Sequence, residues 1–100
     1  MFHSTDFAVL AQSIGETTIG YLGRETLRAL AVEINPQTLE ADVEIVLRDD
    51  TEDARRAALT AFHEVESIFF AEVVLAHNFV GELHDRQRAV ADQRRQFQFA

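Results

Sequence analysis

The chain predicts an α+β fold in which helices pack a small antiparallel sheet. Three observations carry that reading. Residues 39–48 alternate without a break, Leu39, Ala41, Val43, Ile45 and Leu47 against Glu40, Asp42, Glu44, Val46 and Arg48. This is the period of a strand with one wet face. The segment before it ends in Asn35-Pro36, a turn signal, and Val32-Glu33-Ile34 echoes Val43-Glu44-Ile45 across that turn. On either side of this hairpin, apolar residues recur at helical spacing.

The first element is a helix over about residues 5–19, because Phe7, Leu10, Ala11, Ile14, Thr18 and Tyr21 share a face and Asp6 suits the positive end of its dipole. Gly20 and Gly23 are expected to end it. Gly15 inside it costs about 1 kcal/mol relative to Ala. Residues 27–34 fit either a helix face or a strand face, and the turn decides for a strand. Pairing Ile34 with Leu39 also pairs Val32 with Ala41 and Leu30 with Val43, so the apolar partners share one side. That register sets Glu25 opposite Arg48, which is favourable, and Glu33 opposite Glu40, which is not.

Asp49-Asp50-Thr51-Glu52-Asp53 reads as the start of a second helix, with Asp50 and Asp53 spaced as a cap. Ala54, Ala57, Ala58, Leu59, Ala61 and Phe62 continue it as a short, Ala-rich helix suited to close packing on a sheet. Residues 67–79 are rich in β-branched and aromatic residues and read as a central strand buried on both faces, with Glu72 at an edge or a polar contact. The competing reading is one long helix from Thr51, lined by Ala58, Phe62, Val65, Phe69, Val73, Ala76, Val80 and Leu83. Gly81 then divides the chain into a single α+β domain, 1–81, and an Arg/Gln-rich helical tail, 82–100, where Leu83, Val90 and Phe97 recur every seven residues. The resulting order, α-β-β-α-β-α, is common to ferredoxin-like and other α+β sandwiches, a comparison of folds that carries no function.

Composition excludes several function classes. The 100 residues, 47% of them hydrophobic, suffice for one domain with a modest core. There is no Cys, which removes disulfides, thiolate metal sites and a cysteine nucleophile, and no Lys, which removes a Schiff-base or phosphate-loop lysine. A net charge of −8 argues against nucleic acid as a partner. No secretory pattern opens the chain, and Glu72 interrupts the most apolar run, so no membrane partner and a cytoplasmic location are expected. The charge is uneven: residues 1–80 hold five Arg against fourteen acids, and residues 82–100 hold four Arg against three.

No cluster specifies a reaction. The acidic run lacks the alternating ligands and central Gly of a calcium loop. His77, Glu82, His84 and Asp85 are close in sequence, but Gly81 separates them and no His-x-x-x-His pair exists, so neither a metal nor another cofactor is expected. Ser4, Ser13 and Ser67 have no elbow or partner base. If the protein has a pocket between sheet and helices, the polar groups available to it are Tyr21, Arg28, Glu72, His77 and His84. The expected theme is instead self-association, covering a sheet face that carries Phe69, Val73 and Leu75, most simply as a homodimer. A further protein partner would use the tail through Leu83, Arg86, Val90, Arg94 and Phe97. The sequence thus favours a non-enzymatic interaction module over a small oligomeric enzyme or ligand sensor.

Overall fold

A computed structural model describes residues 4–83 and 94–99. The elements are α1 (Ser4–Leu22), β1 (Leu27–Asn35), β2 (Glu40–Leu47), α2 (Glu52–Phe69), β3 (Val74–Phe79) and β4 (Arg94–Gln98). The class is α+β, and the order expected from the sequence holds through β3. At residues 94–98 the expected helix is a strand. The sheet runs β3-β2-β1-β4 with both helices on one face. It is mixed rather than purely antiparallel, because β2 and β3 are joined through α2, a helical crossover that returns the chain in the same direction.

Phe7, Leu10, Ala11, Ile14 and Thr18 are buried as the helical spacing requires, whereas Tyr21 is half exposed and Leu22 takes the core position. Gly23 ends α1 at φ 90°, a left-handed conformation open to Gly at no steric cost. Gly15 has a packing reason that the sequence did not show: a Cβ there would overlap the Phe97 ring, so its absence lets β4 close against α1.

The hairpin is offset from the expected register by two residues. Ile34 faces Ala41, Val32 faces Val43 and Leu30 faces Ile45. The turn explains the offset. Asn35 Oδ1 accepts from the backbone N of Gln37 (2.9 Å) and Thr38 (3.3 Å), and Asn35 O accepts from Leu39 N at 2.8 Å. This fold of the loop draws Leu39 into the turn at φ 58°. A shift of two preserves side-chain facing, so Leu30, Val32, Ile34, Ala41, Val43 and Ile45 are all buried under the helices as expected. The charged pairs do change. Glu33 faces Asp42 rather than Glu40, and the backbone N of Arg48 bonds to Thr26 O.

Helix α2 is longer than the Ala-rich run, and its cap is Thr51, not Asp50. Thr51 Oγ1 accepts from Ala54 N at 3.0 Å. Asp50 instead forks onto Arg55. The stripe Ala58, Phe62, Val65 and Phe69 is buried along the whole helix. A fully buried Val or Phe gains about 1.5–3 kcal/mol against about 1 kcal/mol for a cap, so the stripe carries the helix through to Phe69. The expected strand over 67–79 is therefore half correct. Residues 67–69 finish α2, Glu72 sits exposed in the turn with its N bonded to Phe69 O, and only Val74–Phe79 is strand, at an edge of the sheet instead of its centre.

The apolar residues expected on the sheet face away from the helices lie beneath the helices instead. Phe69, Val73 and Leu75 all belong to the core beneath the helices. The other face carries Ala29, Ala31, Glu33, Asp42, Glu44 and Gln96 together with the apolar Val46 and Val74, placed there by register, and of these Ala29, Ala31, Glu44 and Val46 are buried. Among the described residues no helix is long and apolar enough to cross a membrane.

Candidate functional site

The two outer strands differ in a way that bears on function. Strand β4 pairs with β1, setting Arg94 opposite Glu33, Gln96 opposite Ala31 and Phe97 opposite Leu30. The bond from Phe99 N to Arg28 O fixes the phase of the ladder. Residues 95, 97 and 99 turn their backbone groups to β1, and residues 94, 96 and 98 turn theirs outward. The outward carbonyl of Arg94 is capped by its neighbour, Arg95 Nη1, at 2.9 Å. This edge is thus protected by long polar side chains and by a guanidinium on its own backbone.

Strand β4 is also held firmly. Arg94 Nη1 lies 3.1 Å from Glu33 Oε1 and Nη2 lies 3.6 Å from Glu44 Oε1, with side-chain exposures of 8% for Arg94, 27% for Glu33 and 6% for Glu44. With the Gln96 amide oriented oxygen-first, it accepts from Arg94 Nη2 and Nε at 2.9 and 3.2 Å. The arginine therefore bridges two acids that the β1–β2 register brings together. Phe97 seats over Gly15, and Phe99 lies under the Arg24 guanidinium at 5.3 Å.

Strand β3 has none of these devices. Among the described residues it pairs only with β2. Val74 N bonds to Leu39 O and Val80 N to Ile45 O, so residues 74, 76, 78 and 80 face β2 while Leu75, His77 and Phe79 direct N–H and C=O outward. Its six residues contain no Pro, Asp, Glu, Lys or Arg. The His77 ring sits on the helix side, edge-on to Phe62 and Phe79, each at 5.7 Å between centroids. Apolar side chains stand exposed around the start of this strand: Phe70 at 78%, Val74 at 65% and Ile68 at 50%. At the far end, Arg55 lies 5.2 Å over the Phe79 ring and forks onto Asp50 at 2.7 and 2.9 Å. That hydrogen bond lowers the Asp50 pKa and raises that of Arg55.

The residues expected to share a pocket are dispersed. Tyr21 and Arg28 lie at the end of the sheet where β1 begins, Glu72 lies in the turn at the opposite end, and His77 lies on the β3 edge. Arg28 and Leu83 line one cavity of about 350 Å³ with Ala29, Val46 and Gln98. His77 lines another of about 210 Å³ with Asp42, Glu44 and Asn78. Among the described residues no three His, Asp or Glu side chains are placed to hold a metal ion. His84, Arg86 and Val90 lie outside the described residues, while Arg94 and Phe97 make their contacts within the chain. Sequence reasoning missed the β3 edge, because edge or centre is decided by which strand pairs with β1. Comparison with protein-family models, with curated proteins and with solved structures finds no match.

Proposed function

We propose that the protein is a non-enzymatic, self-associating interaction module that works by strand addition at the outer edge of β3. The observation that carries this reading is the row of outward backbone groups at Leu75, His77 and Phe79 on a strand without charge or Pro. Such an edge is a template for another strand, and natural sheets ordinarily blunt it. The blunted β4 edge of the same sheet shows the contrast within one molecule. The dispersal of Tyr21, Arg28, Glu72 and His77 supports an interaction surface over a pocket.

The test is sedimentation velocity from micromolar to near-millimolar protein, comparing wild type with His77→Pro. Proline at 77 removes an outward N–H, together with the ring that stands edge-on to Phe62 and Phe79, and leaves the β2 ladder intact, since that ladder uses the N–H groups of the even-numbered residues. Wild type is expected to associate with rising concentration and the folded variant to stay monomeric. His77→Lys, which places a charge on the edge, is expected to do the same. Association that is absent in wild type, or unchanged in both variants, would overturn the reading.

A further inference from the structure

We infer that the occupant of the β3 edge is a second copy of this chain, added antiparallel across a two-fold axis that passes through His77. The inference rests on the reading of β3 as the interaction edge, and it adds the partner and the register. Directly opposed, hydrogen-bonded residues in an antiparallel pair must both point their backbone groups at one another. Only Leu75, His77 and Phe79 do so on this edge, and on a second copy the same three do. A symmetric pairing can then centre on 76, 77 or 78. Only the axis through His77 engages all three residues of both strands. Either alternative pairs one of them with Val73 or Gly81, beyond the ends of the strand.

The side chains fit the same axis. On the helix side it sets Leu75 against the partner's Phe79 and Phe79 against the partner's Leu75, an aliphatic–aromatic cross-strand pair on each side of the axis. On the open side it sets Val74 against the partner's Val80 and Ala76 against the partner's Asn78. On the axis itself the His77 imidazole meets its symmetry mate, and no Asp, Glu, Lys or Arg stands on the strand, which matters in a chain of net charge −8. Antiparallel addition also brings the end bearing the exposed Phe70 and Val74 beside the partner's end where Arg55 lies over Phe79. The two outermost edges of the joined sheet are then both β4, whose outward Arg94 carbonyl is already capped, so the assembly closes at two copies.

The native chain has no Cys, so single cysteines report the register without background. Opposed residues in a hydrogen-bonded antiparallel pair have Cα atoms about 5.5 Å apart, within disulfide reach, and diagonal neighbours stand at about 7–8 Å. Under mild oxidation His77→Cys is therefore expected to form the disulfide-linked dimer at least ten times faster than Ala76→Cys or Asn78→Cys alone. A mixture of Ala76→Cys with Asn78→Cys, which leaves His77 in place, is expected to cross-link faster than either component. Fastest linking by Ala76→Cys alone or Asn78→Cys alone would overturn the axis while leaving strand addition at β3 standing. No linking at any of these positions in a wild-type background that associates, with association blocked by His77→Pro, would overturn the second copy's placement here. Wild type that never associates would overturn both readings.

Discussion

The two edges of this sheet received opposite treatment from the sequence. Strand β4 carries two Arg and two Gln in five residues, caps one outward carbonyl with Arg95 and seats Arg94 between Glu33 and Glu44. Strand β3 carries no charge and presents Leu75, His77 and Phe79 with nothing along them in the described chain. Both are exposed outer strands of one sheet, so solvent and sheet twist do not distinguish them. They differ in pairing direction, parallel at β3 and antiparallel at β4, and in the side chains that guard the outward backbone. The contrast shows that protection of an edge is local and affordable in this fold, which makes its omission at β3 informative.

That comparison can be broken from the β4 side. The largest effect is expected from Gly15→Val, which drives a side chain into the space of the Phe97 ring. It should cost about 3 kcal/mol in urea unfolding. If β4 is what closes its side of the sheet, loosening it should also yield species larger than two copies in sedimentation. Next comes Arg94→Met, which leaves the largely buried Glu33 and Glu44 carboxylates without their bridge. A loss of about 2–3 kcal/mol is expected, below the full cost of breaking a buried pair because Glu33 is partly exposed. Glu44→Gln combined with Arg94→Met should recover part of it, as a double-mutant cycle would show.

The smallest expected effect lies beside β3, at Asp50 and Arg55. Arg55 holds the Asp50 pKa below its ordinary value. A carboxylate lowered in the folded state stabilises it above the unfolded pKa, and that contribution fades as pH falls through the folded one. The difference in Tm between wild type and Asp50→Asn should therefore be present at neutral pH and shrink in acid. Both groups are exposed, so the difference should also diminish with added salt.

What the sequence made legible was periodicity, and what it hid was pairing. The alternation of residues 39–48 and the echo across Asn35-Pro36 gave both hairpin strands. An offset of two residues in register did no harm to the core, since the period of a strand is two. The stripe Ala58, Phe62, Val65, Phe69 gave α2, and only its last turn blurred into the strand that follows. Strand β4 had a visible signal in Gln96-Phe97-Gln98-Phe99, a strict alternation, but the seven-residue spacing of Leu83, Val90 and Phe97 pointed to a helix instead. Gly15 registered only as a cost, because the ring that requires it lies about eighty residues away in the chain. The status of β3 could not be read from its own residues. Its apolarity fits a buried strand, and it is an edge because β4 takes the place beside β1.

The most direct measurement is amide hydrogen exchange at Leu75, His77 and Phe79, followed by NMR at low and at high protein concentration. If β3 is the working edge, these outward N–H groups exchange fast when dilute and slow together as concentration rises, while the outward amides of Arg94, Gln96 and Gln98 do not change. Exchange at the three β3 positions that stays fast at every concentration, or slowing confined to β4, would contradict the account.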